Sequence, residues 1–309
     1  MSENIPVVDL TDFTSGDPER RAAFVRILGE GLEKYGFVSV TGHGVASDLL
    51  ARAYDSAKQT FALPVAVKTK YETPQDGRQR GYTAFGVEHA LDNPAPDLKE
   101  FWHVGRVLPA GHPLLERREV PPNQFPTENP VFEPTFLALF YALEDFALRL
   151  LDAVAEYLGV SPQFFRDMVK DGNSVLRVIH YPDLAGPQAP GAIRAAQHED
   201  INLITVLPAS TQPGLELMTR DGRWIPVNAP PNVMVCDTGD MMQRLTAGRL
   251  PATTHRVVNP DGSDGGRMSM PFFLHPHPDH LIVPMRADYA EPITARDFLF
   301  QRLRAIGVA

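Results

Sequence analysis

Gln197-His198-Glu199-Asp200-Ile201-Asn202-Leu203-Ile204-Thr205-Val206-Leu207 carries the pattern from which the rest of the chain can be understood. Its second half is apolar and β-branched, and Pro208 closes it, so it reads as a strand. On a strand, residues i and i+2 point to the same face. His198 and Asp200 are therefore expected to project together, one imidazole nitrogen beside one carboxylate oxygen, with Glu199 turned away. A third ligand would complete a triangle. The best candidate is His255, in Ala252-Thr253-Thr254-His255-Arg256-Val257-Val258, a second strand-like run. Two imidazoles and a carboxylate on one face leave three positions of an octahedral ion open, the facial triad of non-haem Fe(II) centres. A His-x-Asp triplet alone is a frequent accident, so its weight depends on its surroundings.

Those surroundings have the texture of an all-β core. From Ser174 onward, short apolar runs alternate with Gly and Pro turns, at 175–181, 201–207, 215–218, 224–227, 233–236, 254–258 and 268–274. Many short strands between turn signals predict a sandwich or barrel, and jelly rolls of this kind hold ligands in their mouths. Arg267-Met268-Ser269 follows His255 by twelve residues, and its Arg and Ser again share one strand face. A guanidinium fork beside a hydroxyl is a good carboxylate trap. Near a metal, it suggests a dicarboxylate bridging Arg267 and the ion.

The first half is built differently. Ile5-Pro6-Val7-Val8-Asp9-Leu10 reads as a short strand. Asp17-Pro18 is an N-cap with proline in the first helical position, and Gly36 is a C-terminal stop. A strand is expected at 37–40, a turn at 41–44 and a helix from about 47 to 61. Residues 73–130 are rich in Pro, Gly and charge and read as irregular. Within them Arg80, Tyr82 and Trp102 are candidates for a loop folded over a binding site. A long helix follows at 134–158, where Phe136, Leu139, Phe140, Leu143, Phe146 and Leu150 recur at helical spacing and mark a core face. Gly159 ends it.

Composition sets the outer bounds. The chain has 309 residues, enough for a large core in one domain or two. A net charge of −9 argues against nucleic acid and anionic membrane as partners. Cys236 is the single cysteine, so no intrachain disulfide can form and a reducing compartment fits. Met1-Ser2-Glu3-Asn4-Ile5-Pro6 has neither a basic nor an apolar leader region, and no run approaches the ~18 apolar residues of a membrane span. A cytoplasmic protein is expected; the oligomeric state stays open.

In order and spacing, several groups together resemble one family. They are His198-Glu199-Asp200, Gly214-Leu215-Glu216, Trp224-Ile225-Pro226-Val227, Gly239-Asp240, His255-Arg256-Val257 and Arg267-Met268-Ser269-Met270-Pro271-Phe272-Phe273. Ile5 to Leu10, Gly36-Phe37-Val38 and Gly42-His43-Gly44 extend the likeness to the N-terminal region. The chain resembles the isopenicillin-N-synthase-like family of Fe(II)/2-oxoglutarate-dependent dioxygenases. That resemblance implies a double-stranded β-helix (jelly-roll) core with N-terminal and flanking α-helices. The helix-rich region would span 1–130 and the catalytic core 131–309, with the helix 134–158 as buttress, all in one compact unit. It implies Fe(II) on His198, Asp200 and His255, and 2-oxoglutarate held by Arg267, Ser269 and Tyr181, with O2 as co-reactant. The expected outcome is oxidation of a small molecule, hydroxylation by default, with release of succinate and CO2. Ile179 stands where plant-type members carry Asn, and what this does to one hydrogen bond to the metal-bound carboxylate stays open.

Two other readings compete. An oxidase of the same fold could use Arg267 and Ser269 for a substrate carboxylate, and succinate release would separate the two. A non-catalytic jelly-roll binding protein would take up no oxygen. The run His275-Pro276-His277-Pro278-Asp279-His280 tempts as a second metal site, but its two prolines favour an exposed loop. His180 is expected to face away from the metal, Cys236 to be a small core residue and Asp240 a turn residue. Phe273 shares the i+2 parity of Arg267 and Ser269, so its ring should face the cavity while Phe272 packs outwards.

Overall fold

The computed structural model describes residues 4–88, 97–183, 193–258 and 266–305. Two facing sheets form its centre. In the larger, spatial neighbours run Val7–Asp9, Phe37–Thr41, Met234–Thr238, Ile204–Pro208, Phe272–Leu274, Val175–Tyr181, Glu100–Gly105 and Gly81–Thr83, and Arg267–Ser269 also pairs with Val175–Tyr181. The smaller sheet holds Ala195–His198, His255–Val257, Leu215–Met218 and Trp224–Pro226. From residue 195 onward the chain alternates between them: small sheet, large, small, large, small, large. That alternation is the jelly-roll core expected from the sequence.

Strand parity divides the apolar residues into two cores. Leu176 and Val178 lie in the cluster beneath the helices, while Ile179 and Tyr181 on the same strand belong to the cluster between the sheets. Phe37, Phe101, Leu217, Val235 and Val257 complete that inner layer. The helix Phe132–Leu158 buttresses the large sheet from outside, and its Phe140 meets Phe272 edge-on at 5.0 Å. Phe272 therefore packs outwards, as its parity requires.

The helix signals hold. In Pro18–Tyr35, Asp17 accepts from the backbone N–H of Glu19 and Arg20. Gly36 ends the helix at φ 64°, and a Cβ there would fall 2.3 Å from Thr253 Oγ1. Both the left-handed turn and the close approach require glycine.

Three expectations are corrected. The strand read at 201–207 begins only at Ile204. The run 268–274 is two strands, Arg267–Ser269 and Phe272–Leu274, because Pro271 has no N–H to give; the register against Val175–Tyr181 nevertheless continues across it. The irregular stretch contains Gly81–Thr83 and Glu100–Gly105, both wholly buried. A strand buried on both faces shows no polar–apolar alternation, so periodicity cannot reveal it.

Candidate metal centre

His198 is the last residue of its strand, and the chain then crosses from the small sheet to the large one. Asp200 sits in that crossing, so the expectation that both side chains share one strand face is corrected: a sheet-to-sheet corner brings them together instead. Backbone bonds fix the corner. Asp240 N–H donates to Asp200 O at 2.7 Å, Gly239 N–H to Leu203 O at 3.0 Å, and Met241 N–H to Asn202 O at 3.1 Å. A Cβ on Gly239 would lie 2.3 Å from Asn202 O and 2.8 Å from Asp200 O, so only glycine lets the two segments meet. Asp240 opens the short helix Asp240–Leu245 rather than a turn.

His255 pairs in register with His198, their rings 4.4 Å apart. Asp200 Oδ1 lies 3.8 Å from His198 Nε2 and 3.7 Å from His255 Nε2. The three ligand atoms fall within 4.8 Å of one another, the one such cluster among the described residues. Each ring's other nitrogen meets a carbonyl: His198 Nδ1 with Ala196 O at 2.8 Å, His255 Nδ1 with Thr253 O at 3.0 Å. A carbonyl only accepts, so the protons sit on Nδ1 and both Nε2 lone pairs face inward. Partial burial, then the neighbouring His255, lowers His198 below its ordinary value, which keeps it neutral and ready to bind a cation near pH 7. The His198 side chain remains 41% exposed, so the position is open on one side.

Further along the barrel, Arg267 pairs with Tyr181 and Ser269 with Ile179. Arg267, Ser269 and Tyr181 are all buried. Arg267 Nε donates to Gln212 O at 3.0 Å and its guanidinium lies 5.1 Å from the Tyr181 ring centroid. Its Nη1 is buried with no hydrogen-bond partner among the described residues. Arg267 also lines a cavity of about 240 Å³ with Leu207, Gln212, Leu215, Val227 and Val235, which His198, Asp200, His255, Ser269 and Tyr181 do not border. A buried cation with an unspent donor beside a cavity suits an anion, and its planar fork suits a carboxylate.

The remaining candidates separate. Phe273 pairs with Thr205, whose hydroxyl donates to Asp200, and so stands next to the metal position. Tyr82, Trp102 and Val178 are consecutive cross-strand partners in the helix-side core. Trp102 Nε1 donates to Gln124 O at 2.8 Å, and Tyr82 Oη donates to Glu100. Arg80 is fully buried, donates to Asn173 Oδ1 at 2.7 Å, and packs against Gly105. These three do not cover the mouth; parity turns Tyr82 and Trp102 to the opposite face of the sheet. His180 also faces away, bonded to Glu100 at 2.8 Å and stacked on Phe61. His277 Nδ1 accepts from Asp279 N–H at 3.1 Å, and the 275–280 run forms no metal-type cluster among the described residues.

Sequence reasoning missed a charged wall beside this site. Arg177 lies over Phe101 at 4.3 Å and Phe273 at 5.5 Å, donates to His103 Nε2 at 2.7 Å and pairs with Glu88 at 3.1 Å. Lys99 links Glu88, at 2.7 Å, to Asp97, at 2.8 Å, and Asp97 accepts from Ala196 N–H on the strand that carries His198. Burial works against ionisation of Glu88, but Arg177 and Lys99 outweigh it and hold its carboxyl well below the usual range. Burial, and then Arg177, keeps His103 neutral. Even spacing from Tyr181 was the one available signal for Arg177.

Two family models match the chain. One, the non-haem dioxygenase in morphine synthesis N-terminal region, covers residues 5–128, and the other, the 2OG-Fe(II) oxygenase superfamily, covers 172–276. A 2-oxoglutarate-Fe(II) type oxidoreductase of Emericella nidulans is 30% identical over 283 residues, which span 89% of this chain and 80% of that protein. Validamycin A dioxygenase of Streptomyces hygroscopicus subsp. limoneus is 30% identical over 302 residues, 93% and 81% of the two chains. Among solved structures, a 2OG-Fe(II) oxygenase family protein from Caulobacter crescentus superimposes with a TM-score of 0.88 at 40% identity, covering 99% of this chain and 100% of its own. A full-length Neurospora crassa protein in complex with alpha-KG and thymine gives 0.85 at 27% identity, covering 97% and 96%.

Proposed function

The chain belongs to the 2OG-Fe(II) oxygenase superfamily, and we propose that His198, Asp200 and His255 hold its Fe(II) while Arg267, Ser269 and Tyr181 hold its 2-oxoglutarate. The observation that carries the metal assignment is that each imidazole turns Nδ1 to a backbone carbonyl and Nε2 toward Asp200. Both Nδ1 protons are committed to carbonyls, so two Nε2 lone pairs and one carboxylate oxygen converge. Two nitrogens and one oxygen on one face fit Fe(II) and leave three positions for other ligands. The orphaned Nη1 of Arg267 fits the distal carboxylate of a 2-oxo diacid.

When bound, iron and cosubstrate supply the oxidising chemistry: O2 is consumed, 2-oxoglutarate becomes succinate and CO2, and the substrate is oxidised. The protein's own groups do the rest. The carbonyls of Ala196 and Thr253 hold the imidazoles in one tautomer, which fixes where their lone pairs point. Arg267, with Ser269 and Tyr181 on the neighbouring strand positions, would hold a carboxylate of the cosubstrate. Phe273, cross-strand from Thr205, would supply an apolar wall on one side of the reacting position and limit water there.

The substrate is a small molecule of a chemistry the site reads through Phe273, Phe101 and Arg177. We read residues 1–130 and 131–309 as one working unit, since Phe37–Thr41 pairs with Met234–Thr238 and Glu100–Gly105 with Val175–Tyr181. No helix among the described residues is long and apolar enough to cross a membrane. The net charge of −9 supports a reading without nucleic acid or anionic membrane as partners, and the single cysteine a reducing compartment such as the cytoplasm.

Uncoupling tests that wall. A panel of small metabolites screened by succinate release identifies a substrate, and 2-oxoglutarate consumed per substrate oxidised is then measured. Phe273→Ala is expected to leave iron and cosubstrate binding intact and to raise that ratio severalfold. Abolished cosubstrate binding, or an unchanged ratio, would remove Phe273 from the substrate side.

A further inference from the structure

One oxygen of Asp200 points at the two imidazoles, and the contacts of the other are also visible. Thr205 stands on the strand Ile204–Pro208 with its side chain turned inward, and its hydroxyl donates a short hydrogen bond to Asp200 Oδ2. A hydroxyl carries one proton, and a metal-binding carboxylate is ionised and only accepts. The Thr205 proton is thus committed to Asp200, so any other close partner of Thr205 Oγ1 has to donate to it. Asn202 does, through Nδ2 at 2.9 Å. Its amide cannot be turned the other way without setting two acceptors against one proton. The carboxyl of Asp237, cross-strand from Thr205, also reaches this hydroxyl; burial, and then Asp200, push it well above the usual carboxylate range, so it too can donate there. Asn202 and Thr205 are 1% and 2% exposed, so bulk water does not compete for these bonds. The Asn202 backbone is fixed as well, its carbonyl accepting from Met241 N–H.

Resting on the reading of His198, Asp200 and His255 as iron ligands, we propose that Asn202 and Thr205 are positioning residues that hold Asp200 to one-oxygen coordination. Oδ2 is tied back by Thr205, and Asn202 aims the Thr205 proton. Oδ1 alone then faces the metal, 3.8 Å from His198 Nε2 and 3.7 Å from His255 Nε2. The consequence reaches beyond affinity. A carboxylate that turned both oxygens to the ion would fill one of the three positions that cosubstrate and O2 need. The pair therefore keeps a coordination position free.

Thr205→Val keeps the shape of the side chain and removes the donor. Titration of the apo protein with Mn(II) or Co(II) is expected to show affinity lowered by about 10–100-fold, the usual cost of losing a group that orients a metal ligand. At saturating metal, anaerobic 2-oxoglutarate binding should also weaken, because the freed carboxylate competes for its position. Thr205→Ser, which restores the hydroxyl, should recover both. Asn202→Ala leaves the Thr205 proton unaimed and should produce a smaller loss in the same direction; it carries the test if Thr205→Val does not fold. Metal and cosubstrate affinities within twofold of wild type in both folded variants, or a Thr205→Ser protein that behaves like Thr205→Val, would overturn the proposal. His198→Ala separates the two levels of the argument. If it loses metal while Thr205→Val does not, only the positioning role fails; if it keeps metal, the ligand assignment itself fails.

Discussion

His198→Ala is expected to lose Fe(II) binding and turnover together. The substitution removes one of three converging ligand atoms and leaves Asp200 and His255 to hold the ion alone. Losing an outer partner of a ligand already costs about 10–100-fold in metal affinity, so loss of the ligand should exceed about 100-fold. Asp200→Ala and His255→Ala should behave alike, since no fourth group joins this cluster among the described residues. The fold should survive, because His198 ends an edge strand and keeps one side toward solvent. Metal content after desalting, together with Mn(II) titration, reads the effect directly. His277→Ala is the matched control and should leave both quantities nearly unchanged. Full activity in His198→Ala would sink the assignment.

Arg267→Ala should act on the cosubstrate and spare the metal. Anaerobic addition of 2-oxoglutarate to the Fe(II) protein should give a weak visible charge-transfer band, whose titration reports affinity. Removing a buried charged fork is expected to weaken binding by about 1.5–3 kcal/mol, roughly 10–150-fold. A second readout has an unusual sign. Without its anion Arg267 is a buried cation with an unspent donor, and a group of that kind stabilises a fold little. The apo variant should therefore melt near the wild-type Tm, while the rise in Tm that 2-oxoglutarate produces in the metal-loaded protein shrinks. An unchanged band titration in Arg267→Ala would move the cosubstrate elsewhere. Substrate oxidation without succinate would do so for the wild type.

Much of this architecture can be read from the residues, and the failures share a cause. Helix ends were legible because Asp17, Pro18 and Gly36 act locally on their own backbone. Arg267, Ser269 and Phe273 could be assigned one face because a strand's period of two survives the interruption at Pro271. Asp200 was placed beside His198 for an incorrect reason. An apolar run does not show where the chain leaves one sheet for another, and the turn at 199–203 has the composition of a strand entry. Tyr82 and Trp102 looked like loop aromatics because Glu100–Gly105 is buried on both faces and carries no alternation. Asn202 and Thr205 resemble any turn and strand residue. Their relation to Asp200 exists only through tertiary contact, as does that of Asp97 and Lys99 to the strand bearing His198.

The glycine that ends the first long helix has a bearing on inheritance and on engineering. The space a side chain would fill at residue 36 is taken by Thr253, and the carbonyl of Thr253 is what fixes the proton of His255. Gly36 O in turn accepts from the N–H of Thr238, the residue just before the Gly239-Asp240-Met241 segment that clamps Asp200. The N-terminal part is thus not an interchangeable cassette. A chimera that grafts a relative's first helix onto this barrel has to bring glycine at the junction. Any other residue would displace Thr253, and the error would be felt at the metal, although residue 36 touches neither iron nor substrate.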